Sequence, residues 1–129
     1  MLRELGRDAD ARSVRADPAA SAAHVAEALG AVVLLKGATT LVVAPGAQAL
    51  EVVAPTHRLA VAGSGDVLAG LLGAALAATR LAPGGHDALA ALAVEGARLH
   101  GRAAALAAEG DVPIVALDVA ARLADAQRA

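Results

Sequence analysis

The chain has 129 residues, a formal net charge of −2 and 57% hydrophobic residues, so we expect one domain with enough apolar side chains for a core. Phe, Tyr, Trp and Cys are absent, which excludes a disulfide framework, a cysteine-based zinc site and an aromatic platform for single-stranded nucleic acid. The weak negative charge attracts neither nucleic acid nor anionic lipid. The N-terminus is charged and is no signal peptide, and the apolar run at 67–79 is shorter than the roughly 20 residues of a membrane span. We therefore predict a cytoplasmic protein without nucleic-acid or membrane partners.

The first half of the sequence predicts a helix followed by a buried strand. Residues 1–15 indicate a short helical start and then a loop. A helix is predicted to begin at Asp17-Pro18, because Asp can cap it and Pro fits its first position, and to end at Gly30. The run AVVLL at 31–35 is typical of a strand buried on both faces. A strand placed directly after a helix and a glycine predicts a parallel sheet.

Two further strands are predicted at 39–46 and 49–55, and the short turn between them favours an antiparallel hairpin. Three helices are predicted to follow, at 66–80, 87–109 and 115–127. The first of these contains the longest apolar run and is expected to be buried. Three strands are too few for a complete doubly wound sheet. Either another chain completes the sheet, or this chain is the C-terminal part of a larger domain, and the open strand edge makes pairing or self-association an expectation.

A Gly-Ser-Gly-Asp motif at 63–66 precedes the apolar helix. Its glycines let the backbone come close to a ligand, and a helix N-terminus presents free N–H groups and partial positive charge to an anion. Asp66 is placed there to act as a base on a hydroxyl beside a phosphate. The alternative is a tight turn with Ser64 or Asp66 as an ordinary helix cap. The motif by itself leaves both interpretations open.

The stretch LLKGATT at 34–40 is a second candidate site. Lys36 leaves the end of the predicted buried strand, and in open α/β sheets ligands bind beyond the carboxyl ends of strands. Gly37 lets backbone amides face a phosphate, while Thr39 and Thr40 offer hydroxyl donors. The stretch is not a Walker loop, since that pattern of glycines and lysine is missing. A lysine that only reaches solvent at a strand end is the alternative.

Taken in order, KGATT, a hairpin, LAVAGSGDVLAGLL, a helix, EGARLHG and ALDVAARL resemble the C-terminal half of the NAD(P)H-hydrate dehydratases, members of the ribokinase-like superfamily. The resemblance runs from about Leu2 to about Leu123. It implies an α/β fold class: a partial ribokinase-like fold, with a central sheet, flanking helices and the N-terminal strands missing. Residues 1–129 would then be a single domain, the C-terminal half of a carbohydrate-kinase-like dehydratase domain.

The resemblance also implies an activity. Members of this family use ADP or ATP, with Mg²⁺ as helper, to repair NADHX and NADPHX, the hydrated forms of the reduced nicotinamide cofactors. The hydroxyl at C6 is phosphorylated, phosphate leaves and NAD(P)H is restored, so that ADP yields AMP and phosphate. The implied partner is therefore a small-molecule substrate.

The family's functional residues map onto the two motifs of this chain. The nucleotide-binding positions are Lys36, Gly37, Ala38, Thr39, Thr40, Gly63, Ser64 and Gly65. Asp66 is the implied catalytic residue, in contact with the hydrate, and no metal ligand is assigned. His100 in RLHG belongs to the family's helix pattern and is expected to be packed or capped.

Some features depart from the family pattern. Family members are about twice as long, and strands that form part of their active site precede what is here Met1. Val61 replaces a frequent Thr or Gly, and His57-Arg58 replaces Gly-Asn. Many sugar and vitamin kinases of the superfamily carry Asp-Thr-x-Gly-Ala-Gly-Asp where this chain has LAVAGSGD, which favours a dehydratase over a kinase of a small metabolite. The alternative outside enzymes is an inactive nucleotide-binding fragment, alone or paired with an N-terminal half.

Overall fold

A computed structural model describes residues 11–79 and 85–129, so most of the predicted helical start lies outside the described residues. Within those ranges the chain forms five α-helices, three β-strands and one short 3₁₀ helix. In chain order they are α1 (Ala11–Ala16), α2 (Pro18–Leu29), β1 (Val33–Leu35), β2 (Thr39–Val43), β3 (Leu50–Val53), the 3₁₀ helix (His57–Leu59), α3 (Ser64–Ala78), α4 (His86–Ala107) and α5 (Ala116–Arg128). The result is a mixed α/β fold.

Both predicted ends of α2 are confirmed. The carboxylate of Asp17 accepts a hydrogen bond of 2.9 Å from the backbone N–H of Ala20, and Pro18 is the first helical residue. Gly30 ends the helix in the left-handed conformation, with φ of 57°, and its N–H donates back to carbonyls of the last turn. A residue without a Cβ adopts this conformation with little strain, which is why glycine so often stands at this position.

The predicted parallel sheet is wrong for the described strands. β1 pairs antiparallel with β2, and β2 pairs antiparallel with β3, which gives the order β1-β2-β3. Only residues 36–38 connect β1 to β2, and a parallel connection needs a dozen residues or more. The predicted antiparallel hairpin of the second and third strands is confirmed.

The strand that is buried on both faces is β2 rather than β1. Val42 packs against α4, and its neighbour Val43 packs against α2, since successive side chains of a strand point to opposite faces. Both valines have 0% of their surface exposed. β1 carries the longer apolar run but is only half-buried, because its outer edge has no partner strand among residues 11–79 and 85–129.

The second half of the fold is built around α4. Its first turns pack on the sheet. Its later turns use small side chains such as Ala103 and Ala104, which pack against Val119 of α5 and against Ile114, just before α5. Alanines fill this core because neighbouring elements approach closely, which compensates for the missing aromatic residues. No helix in the described part of the chain is long and apolar enough to cross a membrane.

α3 lies against α4 and α5 but is largely exposed, so the prediction of a buried helix is wrong. Only Ser64 and Leu68 are buried, and Leu76 is exposed. α3 and α4 approach each other closely where Leu72 of α3 packs over Gly96 of α4, because a Cβ on Gly96 would collide with the Leu72 side chain. The remaining apolar surface of α3 faces solvent in the described structure.

Candidate functional site

Residues of both motifs line one pocket of about 530 Å³, with Ser64 as the member from Gly-Ser-Gly-Asp. The pocket is formed by the turn between β1 and β2, the segment between β3 and α3, and the first residue of α3. Its lining residues are Lys36, Gly37, Ala38, Thr40, Ala54, Thr56, His57, Leu59, Ala60 and Ser64. Residues 36–40 and 63–66 are thus neighbours in space although the β2–β3 hairpin separates them in sequence.

A single hydrogen bond joins the two motifs. The ammonium Nζ of Lys36 donates to the hydroxyl Oγ of Ser64 at 3.0 Å. Lys36 is the only lysine in the chain, and the partial burial of its side chain lowers its pKa. An ammonium with three donors keeps capacity for a ligand while one of them is bonded to Ser64. The pocket is therefore lined by one ammonium group, that of Lys36, which is held by its hydrogen bond to Ser64.

Gly63 and Gly65, the two glycines of the motif, have different structural roles at the start of α3. Gly63 precedes the helix with φ of 81°, in the left-handed region, and a Cβ there would lie 3.1 Å from the Cβ of Ala116. Gly65 has no positive φ, and a Cβ there would meet nothing within 4 Å. The turn requires glycine at position 63 but not at position 65. Open space above Gly65 leaves room for another molecule at the helix N-terminus.

The helix start also excludes an ordinary side-chain cap. The capping residue is Gly63, which has no side chain, and its carbonyl accepts from the N–H groups of Asp66 and Val67 at 3.1 and 3.2 Å. The alternative of Ser64 or Asp66 as the cap is therefore wrong. Asp66 is exposed in the first turn, and the hydroxyl of Ser64 is used by Lys36 instead.

Two contacts fix the pocket wall that precedes α3. Arg58 donates through Nε to Oδ1 of Asp111 and through a terminal nitrogen to the carbonyl of the same residue, both at 3.0 Å. The hydrogen bond and the nearby guanidinium charge lower the pKa of the Asp111 carboxyl. On the other side, Gly101 lets α4 approach Pro55 so closely that a Cβ would lie 3.0 Å from its Cδ. Arg58, one of the two residues that depart from the family pattern, thus attaches this wall of the pocket to Asp111 in this chain.

The structure brings together some of the predicted residues and not others. Lys36, Gly37, Ala38, Thr40 and Ser64 line the pocket, whereas Thr39, Gly63, Gly65 and Asp66 do not. Thr39 and Thr40 differ because consecutive residues of β2 face opposite sides of the sheet.

The segment between β3 and α3 closes the pocket, and most of it was not predicted. Ala54, Thr56, His57, Leu59 and Ala60 line the pocket and were not predicted as site residues. His57, Leu59 and Ala60 had entered only through the comparison with the family pattern. Their position directly before the Gly-Ser-Gly-Asp motif was the signal available in the sequence. Small and apolar side chains carry no pattern of their own, however, so spacing alone could not single them out.

His100 of α4 is packed in the interior behind this site, as expected, with 1% of its surface exposed. Burial lowers the pKa of its imidazole, and so does the positive charge of Lys36, while a hydrogen bond with the backbone of Ser64 acts in the opposite direction. Its Nε2 atom has no hydrogen-bond partner among the residues that the structure describes.

These elements define an α/β protein with a small-residue pocket, one ammonium and a helix N-terminus beside it. The chain belongs to the family of NAD(P)H-hydrate dehydratases, whose family model matches residues 3–125. It is 43% identical over 93 residues to a bifunctional NAD(P)H-hydrate repair enzyme of Mycobacterium leprae, covering 69% of this chain and 18% of that protein.

Other relatives carry related names. The chain is 50% identical over 54 residues to a bifunctional NAD(P)H-hydrate repair enzyme of Mycobacterium tuberculosis, covering 42% of this chain and 11% of the relative. It is 42% identical over 64 residues to an ADP-dependent (S)-NAD(P)H-hydrate dehydratase of Neisseria meningitidis, covering 50% of this chain and 22% of that protein. The matched region thus spans about a fifth or less of these relatives. No solved structure matches the chain.

Proposed function

We propose that the chain takes part in the nucleotide-dependent dehydration of NAD(P)H hydrate, with ADP or ATP bound in the pocket beside Lys36. The observation that carries the proposal is the 3.0 Å hydrogen bond from Lys36 to Ser64, which joins the two motifs at one pocket. Membership of the dehydratase family and the name of the Neisseria meningitidis relative support the choice of reaction and of ADP.

Phosphate is the part of the nucleotide that these residues suit best. Lys36 supplies a positive charge, and the dipole at the N-terminus of α3 favours an anion. The N–H groups of Ser64 and Asp66 already donate to backbone carbonyls, which leaves the N–H of Gly65 for a ligand. Gly65 leaves open space at that point. No group of three or more His, Cys, Asp or Glu among the described residues could hold a metal by itself. Mg²⁺ would instead arrive with the nucleotide phosphates, as it commonly does.

Asp66 is the proposed base of the reaction. Its exposed carboxylate would accept the proton of the hydroxyl at C6 of the hydrate while that oxygen takes the terminal phosphoryl group of ADP. The N-terminus of α3 would stabilise the charge on the transferred group. Release of phosphate from C6, with loss of a proton from the neighbouring ring carbon, restores the double bond of NAD(P)H, and AMP is the other product.

We also propose that residues 1–129 form the C-terminal half of a ribokinase-like domain. The coverage of the relatives and the three-stranded sheet support this arrangement. The same observations favour a second candidate function, a nucleotide-binding module without turnover of its own. A ribokinase-like kinase of a small metabolite remains the alternative enzyme, since the pocket chemistry is the same.

The test is a calorimetric titration of the folded chain with ADP and with ATP, in the presence of Mg²⁺. Binding of either nucleotide, followed by conversion of NADHX measured as NADH absorbance, supports the dehydratase. Binding without conversion supports the module, and phosphorylation of other hydroxylated metabolites without conversion supports the kinase. A folded chain that binds neither nucleotide contradicts all three.

The two glycines of the motif provide a matched pair of variants. Gly63→Ala should lower the free energy of unfolding by about 1–2 kcal/mol, because a side chain strains a left-handed backbone. Gly65→Ala should leave that free energy unchanged or raise it by up to about 1 kcal/mol, because alanine is the better helix former. In Gly65→Ala we nevertheless expect weaker ADP binding, because the added methyl group occupies the space proposed for phosphate. Urea unfolding and calorimetry measure the two effects, and an unchanged ADP affinity in Gly65→Ala would contradict phosphate contact there.

A further inference from the structure

Asp111 has a backbone conformation that is unusual for a residue with a side chain. Among the residues that the structure describes, it is the only non-glycine residue with a positive φ, of 59°, and it follows Gly110, whose φ is 79°. An L side chain is strained in this left-handed region, although aspartate tolerates it better than most residues do. Glycine would form the same turn with less strain. What glycine would not supply is the contact made by the Asp111 carboxylate.

Asp111 is bonded to Arg58 through both its side chain and its backbone. Nε of Arg58 donates to Oδ1 of Asp111, and a terminal nitrogen of the same guanidinium donates to the Asp111 carbonyl, both at 3.0 Å. The N–H of Asp111 donates at 2.8 Å to the carbonyl of Ala108, at the end of α4. Two donors of one planar group fix its orientation as well as its distance. Arg58 is thereby connected to the end of α4.

This ion pair is too exposed to contribute much to the stability of the whole fold. The side chain of Arg58 is 30% exposed and that of Asp111 is 75% exposed. Exposed ion pairs contribute little to the free energy of unfolding, because water and salt screen them and both side chains lose rotamer freedom. The consequence of the contact is therefore local, in the segment that contains Arg58.

Arg58 lies in the wall segment of the pocket, residues 56–60. All other residues of this segment line the pocket, among them His57 and Leu59, its neighbours in the 3₁₀ helix. The backbone hydrogen bonds of the segment are local; the N–H of Ala60, for example, donates to the carbonyl of His57 at 3.2 Å. Among the described residues, the hydrogen bonds that join the wall segment to a distant part of the chain are the two from Arg58.

We propose that Arg58 and Asp111 are positioning residues: their contact holds the wall segment, and with it His57 and Leu59, in the position in which the pocket binds its ligand. A wall that is ordered before binding loses less conformational freedom when the ligand arrives, and the affinity is higher for that reason. The consequence for ADP affinity rests on the proposed function, whereas the order of the wall segment does not.

Asp111→Gly separates positioning from stability. It removes the carboxylate and also the left-handed strain, and we expect the two effects nearly to cancel, so that Tm changes by no more than about 3 °C. ADP affinity should nevertheless fall about 3- to 10-fold, the effect of ordering one further side chain on binding. Asp111→Asn keeps an oxygen acceptor and a residue type that tolerates the left-handed region, so its ADP affinity should stay within about twofold of that of the unmodified chain.

Arg58→Ala removes both hydrogen bonds and should weaken ADP binding at least as much as Asp111→Gly does. The variant with both changes should bind ADP no more weakly than Arg58→Ala alone, because both changes break the same contact. Arg98→Ala is the matched control. It breaks another exposed ion pair, with Glu95 on α4, and should leave ADP affinity unchanged.

Amide hydrogen exchange measures the order of the wall segment without any ligand. The amides of residues 56–60 should exchange about 3- to 10-fold faster in Arg58→Ala and in Asp111→Gly, whereas the β2–β3 hairpin should exchange at its original rate. Asp111→Asn should exchange like the unmodified chain. Circular dichroism establishes that each variant is folded before it is compared. If Arg58→Ala does not fold, Arg58→Lys takes its place, since it keeps the charge but not the planar pair of donors.

Unchanged exchange of the wall segment in both Arg58→Ala and Asp111→Gly would overturn the proposal. ADP affinity that follows Tm across the variants, with no loss specific to Asp111→Gly, would overturn it as well, because a purely structural contact predicts that result. If the unmodified chain does not bind ADP, the proposed function fails, but the exchange rates still decide whether Arg58 and Asp111 hold the wall segment.

Discussion

Replacement of Lys36 by alanine is expected to weaken ADP binding about 10- to 100-fold, because a hydrogen bond to a charged group contributes about 1.5–3 kcal/mol. Lys36 is the only lysine of the chain, and it lines the pocket. Its side chain is largely exposed, so we expect the free energy of unfolding to change by about 0.5 kcal/mol or less. Calorimetric titration with ADP and Mg²⁺ measures the loss.

Two controls separate a specific contact from a general effect of charge. Lys36→Arg keeps the positive charge and should bind ADP more tightly than Lys36→Ala, although a planar guanidinium does not reproduce the geometry of an ammonium. Arg122→Ala removes one positive charge from an exposed position on α5 and should leave ADP affinity nearly unchanged. Equal affinity of Lys36→Ala and the unmodified chain would place the nucleotide elsewhere.

Replacement of Asp66 by asparagine should lower NADHX conversion about 10²- to 10⁴-fold, the usual contribution of a general base, while ADP affinity stays within a small factor. Asparagine has nearly the same shape as aspartate but cannot accept the proton of the hydroxyl. Asp66 does not line the pocket beside Lys36, which is why its loss should affect turnover rather than nucleotide binding. The measurement is NADH absorbance in the presence of ADP, Mg²⁺ and NADHX.

Asp87 provides the matched control for this variant. It is also an exposed aspartate in the first turn of a helix, α4, and it lies outside the candidate site. Asp87→Asn therefore changes the charge at a helix N-terminus without removing the proposed base, and we expect conversion to be unaffected. Similar losses in both variants would assign the effect to helix stability and would contradict a catalytic role of Asp66.

Local signals in the sequence predicted the helix and hairpin boundaries well. Asp17-Pro18 and Gly30 correctly bounded α2, because capping and the left-handed conformation depend on single residues. The antiparallel pairing of β2 and β3 followed from the short turn between them. The prediction of a parallel neighbour for β1 was wrong. It followed from the apolar run at 31–35, but the three-residue connection from β1 to β2 is too short for these two strands to pair in parallel.

Burial was harder to predict than secondary structure. An apolar pattern shows that a segment can be buried, but the neighbouring elements decide whether it is. β2 is covered by α2 on one face and α4 on the other, whereas α3 contains the longest apolar run and is still largely exposed. The sequence contains no local feature that distinguishes these two cases, because the covering helices come from distant parts of the chain.

For the candidate site, too, some features followed from the sequence and others only from the tertiary structure. The sequence by itself determined the chemistry: a lysine followed by glycine, two glycines around Ser64, and a carboxylate at a helix start. Only the tertiary structure decided that Lys36 bonds to Ser64, that Gly63 is needed by the turn while Gly65 is not, and that His100 of α4 is buried. Residue types and their spacing along one segment are local properties, whereas contacts between segments are set by the packing of α3 and α4 on each other and on the sheet.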